Sequence, residues 1–169
     1  ATFHRFSREA AVRYAIEVSA FQIWDEPNIA SHWGARSISP SDYLALLREA
    51  AIAVQSAAPS AWVVLAGLAP NVELGGDNMS DLLFLERLYQ EGGAEWFDIV
   101  AAKPYGFDQP PDAAPNSGQL NFARVILLRE VMERHGDVSK PIWAEEFGWN
   151  ALPAGWQGES SIWGQVLEV

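Results

Sequence analysis

Four short apolar runs, separated by stretches of helical periodicity, constrain this sequence more than any other feature. Phe21 to Trp24, Trp62 to Ala69, Trp96 to Lys103 and Ile142 to Glu146 are short, apolar and bounded by turn residues, the form of buried strands. Between them lie helices. From Ser7 to Val18, charged Arg8, Glu9, Arg13 and Glu17 interleave with Ala11, Val12, Ala15 and Ile16. Ser39-Pro40-Ser41-Asp42 starts a second helix, with Ser39 as cap and Pro40 at the first helical position, and Pro59 stops it. A third runs from Asn78 to Gly92-Gly93, and a fourth from Leu120 to His135, closed by Gly136. A further helix begins at Ser160 after a loop from Ala151 to Gly158. Strands alternating with helices imply a parallel sheet with right-handed crossovers.

Two α/β architectures fit: an open doubly wound sheet, or part of a (β/α)8 TIM barrel. No glycine-rich phosphate loop follows any strand, which disfavours a nucleotide-binding sheet. In a barrel the C-terminal strand ends carry the chemistry. Those ends hold the unusual residues here: Asp25 and Glu26, Lys103 and Tyr105, Glu145 and Glu146. A long proline-rich loop, residues 104–118, also follows the third run, and loops of that length are often functional.

Composition narrows the partners. At 49% hydrophobic, the 169 residues can bury a core. A formal charge of −11 argues against nucleic acid or anionic lipid and suits a neutral or cationic partner. No run approaches the roughly 20 apolar residues of a membrane span. There are no cysteines, and His4, His32 and His135 match no metal-ligand spacing, so neither metal nor cofactor is expected.

Two facing carboxyl groups are the minimum equipment for glycoside hydrolysis. One is protonated and donates to the leaving oxygen; the other is ionised and attacks the sugar or activates water. Acidic dipeptides alone say little. Each of these, however, directly follows a strand and lies beside Trp, Pro or Phe, where an acid is partly desolvated and its pKa can be tuned.

The segment IWDEPN resembles the W-x-N-E-P element of clan A glycoside hydrolases, the retaining (β/α)8-barrel enzymes, and WAEEFGWN resembles their W-x-T-E-F-G-W element. The resemblance implies that Glu26 is the acid/base at the end of barrel strand four and Glu146 the nucleophile at the end of strand seven. It also implies two strands between them, and two runs lie there. Two positions depart from the clan's pattern: Asp25 stands where it usually has Asn, and Lys103-Pro104-Tyr105 where it usually has His-x-Tyr. Tyr105 fits a partner for the nucleophile. Lys103 beside Glu146 would keep that carboxylate ionised, or would pair with Asp25.

Strand alternation puts Ile142, Ala144 and Glu146 on one face, toward a barrel interior, with Glu145 outward. A bulge there would make Glu145 the nucleophile. Among the aromatics that follow strands (Trp24, Trp33, Tyr105, Phe107, Trp149, Trp156, Trp163), Trp33 and Trp149 are the candidates to stack on sugar. Substrate contacts are thus expected from Asp25, Trp33, Lys103, Tyr105, Trp149 and Glu145.

Four strands are half of a barrel of eight. Residues 1–169 are therefore read as one partial (β/α)8 domain. A larger polypeptide or another chain is expected to complete it, and no turnover is expected of these residues alone. The expected substrate is a β-linked sugar or polysaccharide. Rival readings are a carbohydrate-binding pseudoenzyme on the same scaffold and a structural α/β domain.

Overall fold

The computed structural model describes residues 2–34 and 36–149. Helix α1 (Thr2–Tyr14) leads into strand β1 (Ala20–Ile23), followed by α2 (Pro40–Ala57), β2 (Trp62–Leu65), α3 (Asp81–Gln90), β3 (Ile99–Ala102), α4 (Val125–Arg134) and β4 (Ile142–Ala144). Short 3-10 turns at Gly93–Trp96 and Phe122–Arg124 precede β3 and α4. The strands form one sheet in chain order, and every neighbouring pair is parallel. Phe21 faces Val63, Leu65 faces Val100, and Val100 faces Ile142. This is the α/β, partial TIM-barrel architecture that the alternation of runs implies.

The helices cover one face of the sheet. Tyr43, Leu47 and Val54 of α2, Phe84 and Leu88 of α3, and Leu128 and Met132 of α4 pack with Val63, Leu65, Val100 and Ala102. Burial of this apolar surface is the main stabilising term, at about 25 cal/mol per Å². On the opposite face Val64, Ile99 and Ala101 form a small cluster with Ala20. Farther out on that face Trp143 is 47% exposed. Alternation along β3 carries Lys103 to the same side as Ile99 and Ala101, away from the helices.

The local signals explain most boundaries. Ser39 Oγ accepts the Asp42 N–H at 3.1 Å and Pro40 opens α2. Gly92 and Gly136 take left-handed φ of 81° and 77° just past α3 and α4. Helix α4 starts at Val125 rather than Leu120, β4 stops at Ala144 rather than Glu146, and three other elements also differ from expectation. Helix α1 runs Thr2–Tyr14 rather than from Ser7 to Val18. Strand β2 ends at Leu65 because the next amide, Ala66, donates to the Tyr43 hydroxyl instead of to a strand. Trp96 belongs to a 3-10 turn and lies under the Arg48 guanidinium, so β3 starts only at Ile99. The loop from Ala151 and the helix from Ser160 fall outside the described residues.

Candidate active site

Adjacent residues on a strand point to opposite faces, so a dipeptide of acids normally offers only one carboxylate to a site. Here both members of each acidic pair reach the same point, because each strand ends just before its pair. Strand β1 stops at Ile23, and Trp24 and Glu26 adopt left-handed φ of 75° and 48°. Such backbone costs about 1–3 kcal/mol per residue for non-glycine and needs surrounding structure to hold it. That structure is present. Buried Tyr43 donates to Ile23 O and accepts from Ala66 N. Glu26 N donates to Gly67 O at 2.9 Å. Trp24 Nε1 donates to His32 O at 3.0 Å. The fully buried Asn28 side chain closes the turn, donating to Ala69 O and Met79 O and accepting from Ala69 N.

On the far side β4 ends at Ala144, and Glu145 N still donates to Ala102 O at 3.0 Å. Pairing continues past the acids, with Tyr105 bridged to Gly148. The expected outward placement of Glu145 does not hold, whereas Glu146 does reach Lys103 on the side away from the helices. Ile142 packs with the helix-side core while Trp143 is exposed on the other face. Ile142 therefore points away from the interior, and Glu145, on the parity of Trp143, is the more enclosed acid. Its side chain is 18% exposed against 52% for Glu146. Glu145 fits because residue 67 is glycine: a Cβ there would stand 1.7 Å from Glu145 Oε1.

All four carboxylates converge on the buried ammonium of Lys103. Nζ lies 2.8 Å from Asp25 Oδ1, 3.0 Å from Glu26 Oε1 and 2.9 Å from Glu146 Oε1. Glu145 Oε1, at 3.4 Å, makes an ion-pair contact that lacks a hydrogen bond's geometry. Asp25, Glu145 and Glu146 approach closely enough to hold a cation, and the Lys103 ammonium is the cation among them. Tyr105 donates its hydroxyl to Glu146 Oε2. His32 Nδ1 lies 3.0 Å from Glu26 Oε2 and 3.7 Å from Asp25 Oδ2.

The electrostatics separate the acids. The Tyr105 hydroxyl, and then Lys103, hold the Glu146 carboxyl below its ordinary value. Burial pushes the neighbouring Glu145 up, with Gln22 and Lys103 offsetting this only in part. Burial alone would lower the Lys103 ammonium, but hydrogen bonds to Asp25, Glu146 and Glu26 outweigh it and raise the group, keeping it charged. Burial and the Glu146 carboxylate push Tyr105 up to about 12, so its hydroxyl stays protonated. The result is one acid, Glu146, favoured in its ionised form beside a second, Glu145, pushed toward its neutral form.

The expected site residues Asp25, Glu26, Lys103, Tyr105, Glu145 and Glu146 thus meet in one place. Of the two proposals for Lys103, pairing with Glu146 or with Asp25, both occur at once. Trp33 is corrected: it is 7% exposed and packs edge-on against Trp24 and Tyr43, so it supports the site from behind instead of lining a cleft. Trp149 is half-buried, stacks on Phe122 with centroids 5.3 Å apart, and passes over Gly106, where a Cβ would meet its ring at 1.7 Å. Trp156 and Trp163 lie outside the described residues. The sequence reading missed His32 and Gly67; the nearness of His32 to the EPN segment was the available signal. A concavity lined by Gln55, Trp62, Asp98 and Lys140 is at the opposite end of the strands and plays no part here.

No family model matches the chain, and no curated protein matches it in sequence. Solved structures do share its fold. A glucosidase from Croceicoccus marinus superposes with a TM-score of 0.60 at 14% identity, covering 90% of this chain and 32% of the glucosidase. A family 51 α-L-arabinofuranosidase from Bifidobacterium longum gives 0.53 at 16% identity, covering 77% and 27%. At these identities the likeness shows the fold, and the chain spans about a third of the length of either protein.

Proposed function

We propose that this chain carries the catalytic half of a retaining glycoside hydrolase acting on a β-linked sugar or polysaccharide, with Glu26 as acid/base and Glu146 as nucleophile. The observation that carries the reading is the sharing of Lys103. Two oxygens that lie 3.0 and 2.9 Å from one Nζ are at most about 6 Å apart. That bound admits the roughly 5–5.5 Å of retaining carboxyl pairs and falls short of the roughly 6.5–9.5 Å of inverting pairs. Glu146, held ionised by Tyr105 and Lys103, suits attack on the anomeric carbon. Glu26 then gives its proton to the leaving oxygen, and in the second step takes one from the water that releases the sugar. Asp25, Glu145, Tyr105 and Trp149 contact the sugar around this pair. The fold relationship to a glucosidase and an arabinofuranosidase agrees with this chemistry. Residues 1–169 form one partial (β/α)8 domain in this reading, completed by the rest of a polypeptide or by another chain. The partner is carbohydrate, not nucleic acid. Among the described residues no helix is long and apolar enough to cross a membrane.

One observation favours a second reading, a sugar-binding pseudoenzyme. The ammonium bonded to both Glu26 and Glu146 occupies the ground between them and must swing aside for a sugar to be attacked. Activated 2-deoxy-2-fluoro glycosides separate the two readings. A panel of β-glucosides and α-L-arabinofuranosides, followed by peptide mass spectrometry, is expected to leave a glycosyl adduct on Glu146. An adduct on Glu145 would move the nucleophile to that residue. Sugar affinity with neither adduct nor turnover would support the pseudoenzyme.

A further inference from the structure

Among the described residues, His32 is the titratable group in contact with the carboxylates that the roles above leave unused. Resting on the glycosidase reading, we propose that His32 is the positioning residue of Glu26, orienting its Oε2 oxygen and passing the proton between that oxygen and solvent.

The two oxygens of Glu26 are divided between two partners. Oε1 accepts from Lys103 Nζ at 3.0 Å, and Oε2 makes an ion-pair contact with His32 Nδ1 at 3.0 Å. Lys103 is held charged by its neighbours and keeps its protons, whereas an imidazole exchanges them near neutral pH. Oε2 is thus the oxygen with a partner able to give and take a proton. Exposure falls in the same order: the Glu26 side chain is 16% exposed and His32 is 43% exposed, so the imidazole stands between the carboxyl and bulk water.

The ring's place is built by the fold. His32 N donates to Ile29 O at 3.1 Å, and its carbonyl accepts from Trp24 Nε1. The next residue is the buried Trp33, wedged against Trp24 and Tyr43. Ala30 N donates to Asp77 O at 2.9 Å, tying the same loop to the segment before α3. Among the described residues the charged groups in ion-pair reach of the ring are Glu26 and Asp25. Asp25 gives its other oxygen to Lys103 at 2.8 Å, which leaves Glu26 as the nearer partner.

The proton balance closes over the cycle. Imidazolium Nδ1–H passes its proton to Glu26 Oε2, giving neutral imidazole and a carboxylic acid. That acid protonates the glycosidic oxygen as its bond to the anomeric carbon breaks and Glu146 bonds to the sugar. In the second step water attacks, the bond to Glu146 breaks, and the water's proton returns to Glu26 and then to Nδ1.

The first test needs no turnover. In the ¹⁵N-histidine-labelled chain, the His32 ring nitrogens are followed by NMR and assigned with His32→Asn. Glu26→Gln is expected to shift the His32 Nδ1 resonance and its tautomer balance through loss of the carboxylate 3.0 Å away; Asp25→Asn, which removes the more distant partner at 3.7 Å, is expected to move it less. An Nδ1 resonance that ignores Glu26→Gln overturns the proposal. The second test is kinetic and uses the completed barrel. His32→Ala is expected to reduce kcat about 10²-fold with KM nearly unchanged, and added imidazole to restore part of it. His32→Asn keeps a donor for Oε2 but cannot carry a proton, and should stay slow with a flattened pH profile. Wild-type kcat and pH profile in His32→Asn would overturn the proton passage. A coupled His32–Glu26 pair in a completed barrel that hydrolyses nothing would sink the glycosidase reading while leaving the pair standing. Hydrolysis without coupling would do the reverse.

Discussion

Arg124 and Lys103 are both buried cations, exposed at 3% and 4%, yet their surroundings are opposite in kind. Arg124 meets one acid: Nε donates to both oxygens of buried Asp81 at 3.0 Å, and Nη2 to Oδ1 at 2.6 Å. Its remaining donors go to Ser80 Oγ and to the carbonyls of Asn71, Asn116, Ser117 and Gln119. Charge is balanced, every donor is used, and three segments are fastened together: the loop after β2, the start of α3 and the long proline-rich loop. Lys103 has three donors and faces four carboxylates at the open end of the strands, so its surroundings carry surplus negative charge. The difference teaches how to tell the two apart. A neutralised, saturated buried cation holds the architecture; an oversubscribed one marks where charge is kept available for chemistry.

The largest effect that would break this contrast is on rate. Glu146→Ala is expected to remove hydrolysis by several orders of magnitude while leaving the unfolding midpoint almost unchanged, because that side chain is half exposed. A large loss of stability would mean that the Lys103 cluster is also architecture. Next comes Arg124→Ala, which strands Asp81 as a buried, unpaired charge and is expected to cost about 3–5 kcal/mol in urea unfolding. Adding Asp81→Asn should recover part of that. A loss below about 1 kcal/mol, the level of a surface pair, would dissolve the comparison.

Gly67→Ala sharpens it. The new methyl would overlap Glu145 Oε1, and Gly67 has no left-handed φ that a side chain would strain. Glu145 must move, and with it the packing of acids around Lys103. A displacement of about 1 Å near reacting groups can cost on the order of 10² in rate, so kcat should fall well before stability does. Unchanged kcat would show that Glu145 is a bystander.

These contrasts also mark what the sequence could disclose. Periodicity and capping made the four strands and their helices legible, because those signals are local: Ser39-Pro40 and the glycines after α3 and α4 sit where the chain turns. The convergence of Asp25, Glu26, Glu145 and Glu146 was legible only as strand-end placement plus a resemblance. Alternation misplaced Glu145, because β4 ends at Ala144 and Ile142 faces the helices. Trp33 was ambiguous because an aromatic in a loop serves a core or a cleft equally well, and only the neighbours Trp24 and Tyr43 decide. Asp81 and Arg124 stand 43 residues apart in sequence, and no short pattern announces such a pair.

The smallest effect separates the two adjacent acids by the sign of their pH dependence. Glu146 has a folded pKa below its ordinary value, so it contributes stability that is present above the unfolded pKa and lost as pH falls through the folded one. Glu145 has a raised folded pKa. Its contribution is present below the unfolded value and lost as pH rises through the folded value, so at pH 7 its ionised form weighs against folding. Glu145→Gln is therefore expected to raise the thermal midpoint at pH 7, and Glu146→Gln to lower it. Both differences should fade toward pH 3–4, where the carboxyl groups protonate, near the ordinary glutamate pKa of about 4.3. Because Glu146 is half exposed, its share is on the order of 0–1 kcal/mol and shrinks in high salt. Midpoint shifts of the same sign would mean that the two adjacent carboxyl groups share one environment, and that burial of Glu145 and the Tyr105 and Lys103 contacts of Glu146 do not set them apart.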